Sequence, residues 1–306
     1  MTARPAGSVR IVQISDSHVS HLGGVTTRNV ARVVAFVNEQ LRPDLIVHTG
    51  DLVAVTPDEE ADRSAARAAH EGFSAPLRLL PGNHDVGEPG DAWMGLEVTS
   101  RWVRAHQAVF GPDRFVEQLG GWTVVGCNSE LLGSGLEEEE DQWAWLAAVL
   151  GPRHDRPTLL FLHKPLWEPD TYAGDGQRSV PAAARERLLS LPGAGMLRAV
   201  GSGHLHRYRR RVRDDVLEVW APSVAFTGRA PAGLTHFEQL GVVEWRLGPD
   251  RVEAWFRSPV YLEELDARGV PEIAAEMARL RAERAARGVA GGVDAGSQAA
   301  RSARDA

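Results

Sequence analysis

Leu77-Arg78-Leu79-Leu80-Pro81-Gly82-Asn83-His84-Asp85 is a short apolar run that stops at a glycine and three polar side chains. Read as a strand giving way to a loop, it has two counterparts upstream. Leu45 to His48 stops at Gly50-Asp51, and Val9 to Ser15 stops at Asp16, with His18 next but one. Helical patterns separate the three runs. Val30, Val33, Val34, Val37 and Leu41 recur at helical spacing over residues 27–41, with Pro43 at the exit, and the Ala-, Glu- and Arg-rich residues 57–73 suit a second helix. This strand–helix alternation predicts an α/β fold. In open α/β sheets ligands bind beyond the carboxyl ends of the strands, which is where these polar residues fall.

Outward from this core the pattern continues. Residues 99–110 read as a helix, 122–127 as a strand, 137–150 as a helix with an acidic start that suits the helix dipole, and 157–162 as a buried strand ending at His163. Another short strand, 197–201, ends at Gly203-His204-Leu205-His206. From there to Phe256 the pattern is strand-rich (208–212, 216–220, 239–247 and 252–256) and predicts a second, mostly antiparallel sheet. The organisation expected is a flexible start over 1–8, one domain over 9–260, a C-terminal helix within 261–287 and a disordered tail over 288–306, rich in Ala, Gly, Ser and Arg.

Of the 306 residues, 43% are hydrophobic and 25% charged, enough to bury a full core. The net charge of −7 offers no general field for nucleic acid, and the basic strip Arg207, Arg209, Arg210, Arg211 and Arg213 reads as a solvated strand. No apolar run approaches membrane-span length, and the N-terminal residues show no apolar signal region, so a cytoplasmic protein is expected. The single cysteine, Cys127, lies in an apolar run and reads as a buried hydrophobe. Among 34 basic residues the only lysine is Lys164.

The strand ends together give Asp16-x-His18, Gly50-Asp51, Gly82-Asn83-His84-Asp85, His163 and Gly203-His204-x-His206. Each alone reads as a turn or a cap. Gathered at one edge, these oxygen and nitrogen donors are what divalent transition metals prefer.

In this order the motifs resemble the calcineurin-like metallophosphoesterase superfamily over residues 9–257. Within it they are most similar to the class III cyclic-nucleotide and glycerophosphodiester phosphodiesterase branch. The resemblance implies two packed mixed β-sheets flanked by helices, an α/β/β/α sandwich. It also implies two transition metal ions (Mn, Fe, Zn or Co), one held by Asp16, His18, Asp51 and His206, the other by Asp51, Asn83, His163 and His204. The activity implied is hydrolysis of a small phosphodiester, a cyclic nucleotide or similar, by a hydroxide shared between the metals. The alternatives are a phosphomonoesterase on the same site or a non-catalytic scaffold. His84 would orient the phosphoryl group and protonate the leaving oxygen, and Asp85 would hold His84 in register.

One departure concerns Lys164, which follows His163 where many relatives have a second histidine. It reads as a mobile cation facing a phosphate or a neighbouring carboxylate, against the plain reading of a surface charge. His21, three residues after His18, is a candidate substrate contact, and His236 is a weaker one. His48, His70, His106 and His154 read as structural, while Trp93 and Trp167 are candidates to wall a pocket. The expected partner is a small phosphate ester, with neither membrane nor nucleic acid, and nothing in the sequence fixes an oligomeric state.

Overall fold

Alternate positions of the buried strands feed different cores. In β1 (Val9–Ile14), Val9 and Ile11 join one apolar cluster, while Val12 and Ile14 join another. In β6 (Thr158–Phe161), Leu159 and Phe161 join the first cluster and Leu160 a third. A strand covered on both faces carries apolar side chains on both, which is why these segments read as near-continuous runs, broken in β1 only by Arg10 and Gln13. The computed structural model describes residues 8–90, 95–167, 178–227, 239–249, 251–259, 261–266 and 269–286. The tail at 288–306, the first seven residues, Trp93 and His236 lie outside that set.

Two sheets pack on the shared cluster. The first contains β1, β2 (Leu45–His48) and β3 (Leu77–Leu79), all parallel, extended by antiparallel β10 (Val242–Leu247) and β11 (Val252–Arg257) in the order β11-β10-β1-β2-β3. The second runs β4-β5-β6-β7-β9-β8, with β4 (Phe115–Leu119), β5 (Trp122–Gly126), β7 (Leu197–Ser202), β8 (Arg209–Arg213) and β9 (Val216–Trp220). Its centre, β5-β6-β7-β9, is parallel, and β4 and β8 close it antiparallel. The expectation that the late strands build an antiparallel sheet of their own is therefore corrected. They divide between two mixed sheets, because β9 continues the parallel run beside β7 while β10 reaches back across the molecule to β1.

Helices cover both outer faces. α1 (Val25–Phe36) and α2 (Glu60–His70) bury Val30, Val33 and Ala66 against the first sheet. α5 (Glu137–Val149) and α6 (Ala182–Leu189) bury Trp143, Leu146, Ala184 and Leu188 against the second. The predicted helix to Leu41 holds, but its last turn widens, with Arg42 N bonding to Val37 O five residues back, before Arg42 turns left-handed (φ 46°) ahead of Pro43. Among the described residues, β4, α6, α3 (Asn83–Val86) and the short 3₁₀ turns Ser129–Leu131 and Pro192–Met196 escaped the sequence reading. α4 spans Ser100–Phe110 behind a Thr99 cap, and α7 spans Pro271–Ala286. Among the described residues no helix is long and apolar enough to cross a membrane.

Candidate metal centre

The C-terminal ends of β1, β2 and β3 from one sheet and of β6 and β7 from the other meet at one edge, and each delivers its polar residues there. The ligand-capable atoms of Asp16, His18, Asp51 and His206 lie within 4.8 Å of one another, as do those of Asp51, His163 and His204. Asn83 joins the second group, its Oδ1 3.1 Å from His163 Nε2. These two half-sites share Asp51. They contain every residue expected from the motifs as a ligand.

The backbone is strained to achieve this. Asp16, His18, Asp51, His204 and His206 all have positive φ, between 42° and 69°. A left-handed residue other than glycine costs on the order of 1 kcal/mol or more, so such a cluster persists only where the surroundings over-determine it. They do so here: Asp16 N donates to Gly50 O, His18 N to Asp51 O, and His204 N to the Asp16 carboxylate. Gly82 is required by close approach, since a Cβ there would collide with the Asp51 carboxylate and backbone nitrogen.

Hydrogen bonds fix which ring nitrogen faces the centre. His18 and His206 donate Nδ1–H to the carbonyls of Ala54 and Phe226, both at 2.9 Å, and His163 donates Nδ1–H to Thr49 O at 2.7 Å. Each Nε2 is then a lone pair when the ring is neutral. Yet His18 Nε2 and His206 Nε2 stand 3.1 Å apart, and His163 Nε2 stands 3.3 Å from Asp51 Oδ2. Lone pairs and carboxylate oxygens this close require positive charge between them, a proton or a metal. His204 Nδ1 is buried with no hydrogen-bond partner, a further orphaned donor atom at the same place. The residues therefore fit a pair of divalent cations, and Mn, Fe, Zn and Co all accept such N and O donors.

The titrating groups show the same demand. Burial pushes the Asp51 carboxyl up, but His163, His84 and His18 outweigh it and hold it well below the usual range. Burial pushes His163 down, and Asp51 reverses this and raises it to about 10. Burial and neighbouring His84 lower His18 to about 3. His84 donates Nδ1–H to Val55 O at 2.7 Å, which leaves Nε2 4.0 Å from Asp51 Oδ2 on a side chain 17% exposed.

Two expectations require correction. Asp85 does not hold the His84 ring: its carboxylate accepts from Leu52 N, Val53 N and Gly82 N, so it fixes the loop after Asp51. Burial, then Asp51, raises it to about 7. Lys164 does face neighbouring carboxylates, one of the contacts expected of it, but it is neither mobile nor at the surface. It is 1% exposed, with Nζ 2.7 Å from Glu88 and 3.3 Å from Glu130, and these two carboxylates enclose the charge. His21 remains exposed but is bound to Asp62, whose Oδ1 accepts from both its backbone nitrogen and its ring at 2.7 and 2.6 Å. Trp167 belongs to the core beneath the second sheet. His48 bonds Ser17, His70 the Ala66 carbonyl and His154 Thr158, all outside the two half-sites. His106 lies buried on α4 against Phe110. On β8, Arg209 stacks 4.8 Å over Trp220.

The sequence reading missed the supporting groups. Ser223, fully buried, donates to Asp16 O and accepts from Ala225 N and Phe226 N. Glu130 follows Asn128-Ser129 one residue beyond β5, a polar strand end of the same kind as the others, so a signal was present. The carbonyls of Ala54, Val55 and Phe226 have no side-chain signature.

Comparison with known proteins agrees with this geometry. A calcineurin-like phosphoesterase family model matches residues 9–208. The chain is 31% identical over 232 residues to a 3',5'-cyclic adenosine monophosphate phosphodiesterase, CpdA, of Pseudomonas aeruginosa, a match covering 71% of this chain and 76% of that protein. It is 28% identical over 177 residues to the serine/threonine-protein phosphatase CPPED1 of Bos taurus, covering 54% of each. Among solved structures, purple acid phosphatase PPD1 from yellow lupin (Lupinus luteus) seeds shares the fold with a TM-score of 0.63 at 16% identity, covering 85% of this chain and 53% of that one.

Proposed function

The chain belongs to the calcineurin-like phosphoesterase family, a family of phosphate-ester hydrolases, and from that premise we propose that it cleaves a small phosphodiester, a cyclic nucleotide or similar. The observation that carries this is the pair of half-sites joined through Asp51. In this reading Asp16, His18, Asp51 and His206 hold one ion, and Asp51, Asn83, His163 and His204 hold the other. Two such ions supply Lewis-acid chemistry: they acidify water and neutralise phosphoryl oxygens.

The protein's own residues do the rest. Asp51 reaches both half-sites and fixes their separation, while its Oδ1 accepts from His84 N at 2.9 Å and sets the start of α3. The Val55 carbonyl keeps the proton of neutral His84 on Nδ1, so Nε2 faces the site and, when protonated, can pass its proton to a departing alkoxide. Asp85 keeps the Asp51–Val53 backbone in place. The diester preference is supported by the similarity to the cyclic nucleotide phosphodiesterase of Pseudomonas aeruginosa. A monoesterase is the second reading, favoured by the shorter match to the Bos taurus phosphatase.

We place the catalytic unit at residues 9–260 with an appended C-terminal helix. We place the protein in the cytoplasm, where its single buried cysteine suits reducing conditions. The test is hydrolysis of bis(p-nitrophenyl) phosphate beside p-nitrophenyl phosphate by protein loaded separately with Mn, Zn, Co and Fe. Preference for the diester is expected, followed by turnover of cyclic nucleotides. Preference for the monoester moves the protein to the phosphatase reading, and no turnover with any metal returns it to a scaffold.

A further inference from the structure

We infer that the C-terminal segment, anchored by Ile273, positions His18 and His206 of the first half-site together with His84 beside them. This rests on the metal-centre reading above and adds to it a part of the chain beyond the family match. His18, His84 and His206 each rest Nδ1–H on a carbonyl, those of Ala54, Val55 and Phe226 respectively. These three residues lie outside the named strands, with only the isolated bridges Val19–Val53 and Thr227–Asp266 beside them. What covers them is apolar packing: Ala54, Val55, Ala225 and Phe226 form one cluster with Val270 and Ile273, and Met277 and Leu280 of α7 pack against it. The Phe226 ring also lies 4.7 Å from the rings of both His18 and His206.

The segment is itself tied down at three places. Glu272 accepts from Val25 N at 2.9 Å and so caps α1, whose own N-cap residue is Gly24 with no side-chain cap. Asn29 grips the Glu263 backbone from both sides, donating to its carbonyl at 3.0 Å and accepting from its nitrogen at 2.9 Å. Thr227 N donates to Leu265 O at 3.0 Å, one residue from the carbonyl that holds His206. Losing the partner that orients a ligating imidazole typically costs about 10–100-fold in metal affinity, so movement of this cluster would be felt at the centre. His163 instead leans on Thr49, in the turn between β2 and Asp51.

The test is Ile273→Ala in the full chain, set against Leu146→Ala, which opens a cavity beneath α5 on the far side of the second sheet. Two readouts are taken: imidazole proton–nitrogen NMR spectra of the metal-free protein, and chelator competition for two equivalents of Mn or Co. Ile273→Ala should shift or broaden the His18, His84 and His206 signals, spare His163, and weaken one metal equivalent about tenfold. Leu146→Ala should lower stability and move neither readout, and Ile273→Val should restore most of the wild-type behaviour. If the alanine variant does not fold, Glu272→Ala should shift the same signals less. Unchanged signals and affinities within twofold in Ile273→Ala, or equal changes in Leu146→Ala, would overturn the inference. Imidazole signals that respond to Ile273 in a wild-type protein taking up no metal would leave the positioning standing and remove the metal reading.

Discussion

His18, His84 and His206 lean on carbonyls of irregular backbone covered by apolar packing, with Ser223 and Leu265 also bonding the backbone around Phe226, whereas His163 leans on Thr49 beside a buried network of charge. In that network Lys164 joins Glu88, in the loop beyond α3, to Glu130, in the turn after β5. The two half-sites share Asp51 and both use oxygen and nitrogen donors, yet an apolar cluster backs the first and a buried ion-pair network lies beside the second. The difference teaches that ligand geometry does not dictate its support. Apolar support is non-directional and tolerates small shifts; a buried ion pair fails sharply when one partner is removed.

The largest effect should erase the comparison altogether. Asp51→Asn withdraws the shared carboxylate charge from both half-sites, so both metal equivalents should be lost or weakened. Hydrolysis should then fall by about 10³-fold or more, the several kcal/mol that metal charge stabilisation supplies. Metal content beside kcat/KM measures this. Retention of both ions would refute the shared role.

His84→Ala comes next and should leave both ions in place. Turnover of esters with poor leaving groups should fall about 10²–10⁴-fold, the usual contribution of a general acid, with much less effect on p-nitrophenyl esters. An equal loss on both substrate types would mean that His84 is not the proton donor.

Lys164→Met should separate the half-sites. It leaves two buried carboxylates without their cation, and breaking such a pair costs about 3–5 kcal/mol of stability by denaturant titration. Metal loss should be confined to the ion held with His163. Replacing Glu88 and Glu130 by Gln in the same variant should recover much of the stability. If the single variant is as stable as wild type, the network is not a support.

The smallest effect sharpens the apolar side. Glu276 of α7 faces Asp62 of α2, the preceding cap residue Glu59 and His21 of the loop after β1, with Arg279 on its own helix; burial and then Asp62 push its carboxyl up to about 7 from an ordinary 4.5. A carboxyl raised on folding contributes stability that is complete below 4.5 and lost as pH rises through about 7. His21, raised chiefly by its hydrogen bond to Asp62, acts in the same sense, losing its contribution as pH rises through its raised value. Hydrogen-exchange protection of α7 should therefore fall with rising pH in the wild type and fall less in Glu276→Gln. Identical profiles would show that this carboxyl does not govern the docking.

The apolar runs ending in Asp16, Asp51, Asn83, His163 and His204 were legible because a strand buried on both faces announces itself in composition, and because ligand chemistry needs particular side chains. The partition of the late strands between two sheets was not, since β9 and β10 look alike locally and differ only in which distant strand they meet. Lys164 stands out as the one lysine of the sequence, but its partners come from two separate loops, and no local pattern distinguishes a buried lysine from an exposed one.

The sequence by itself determined the inventory of the centre: which donors exist, and that each follows a buried strand. Only the tertiary structure decided what holds them. Hydrogen bonds from His18, His84 and His206 end on backbone carbonyls, which every residue carries and no residue type identifies. The packing that covers those carbonyls joins residues 54–55, 225–226 and 270–273, and that adjacency exists only once the chain has folded.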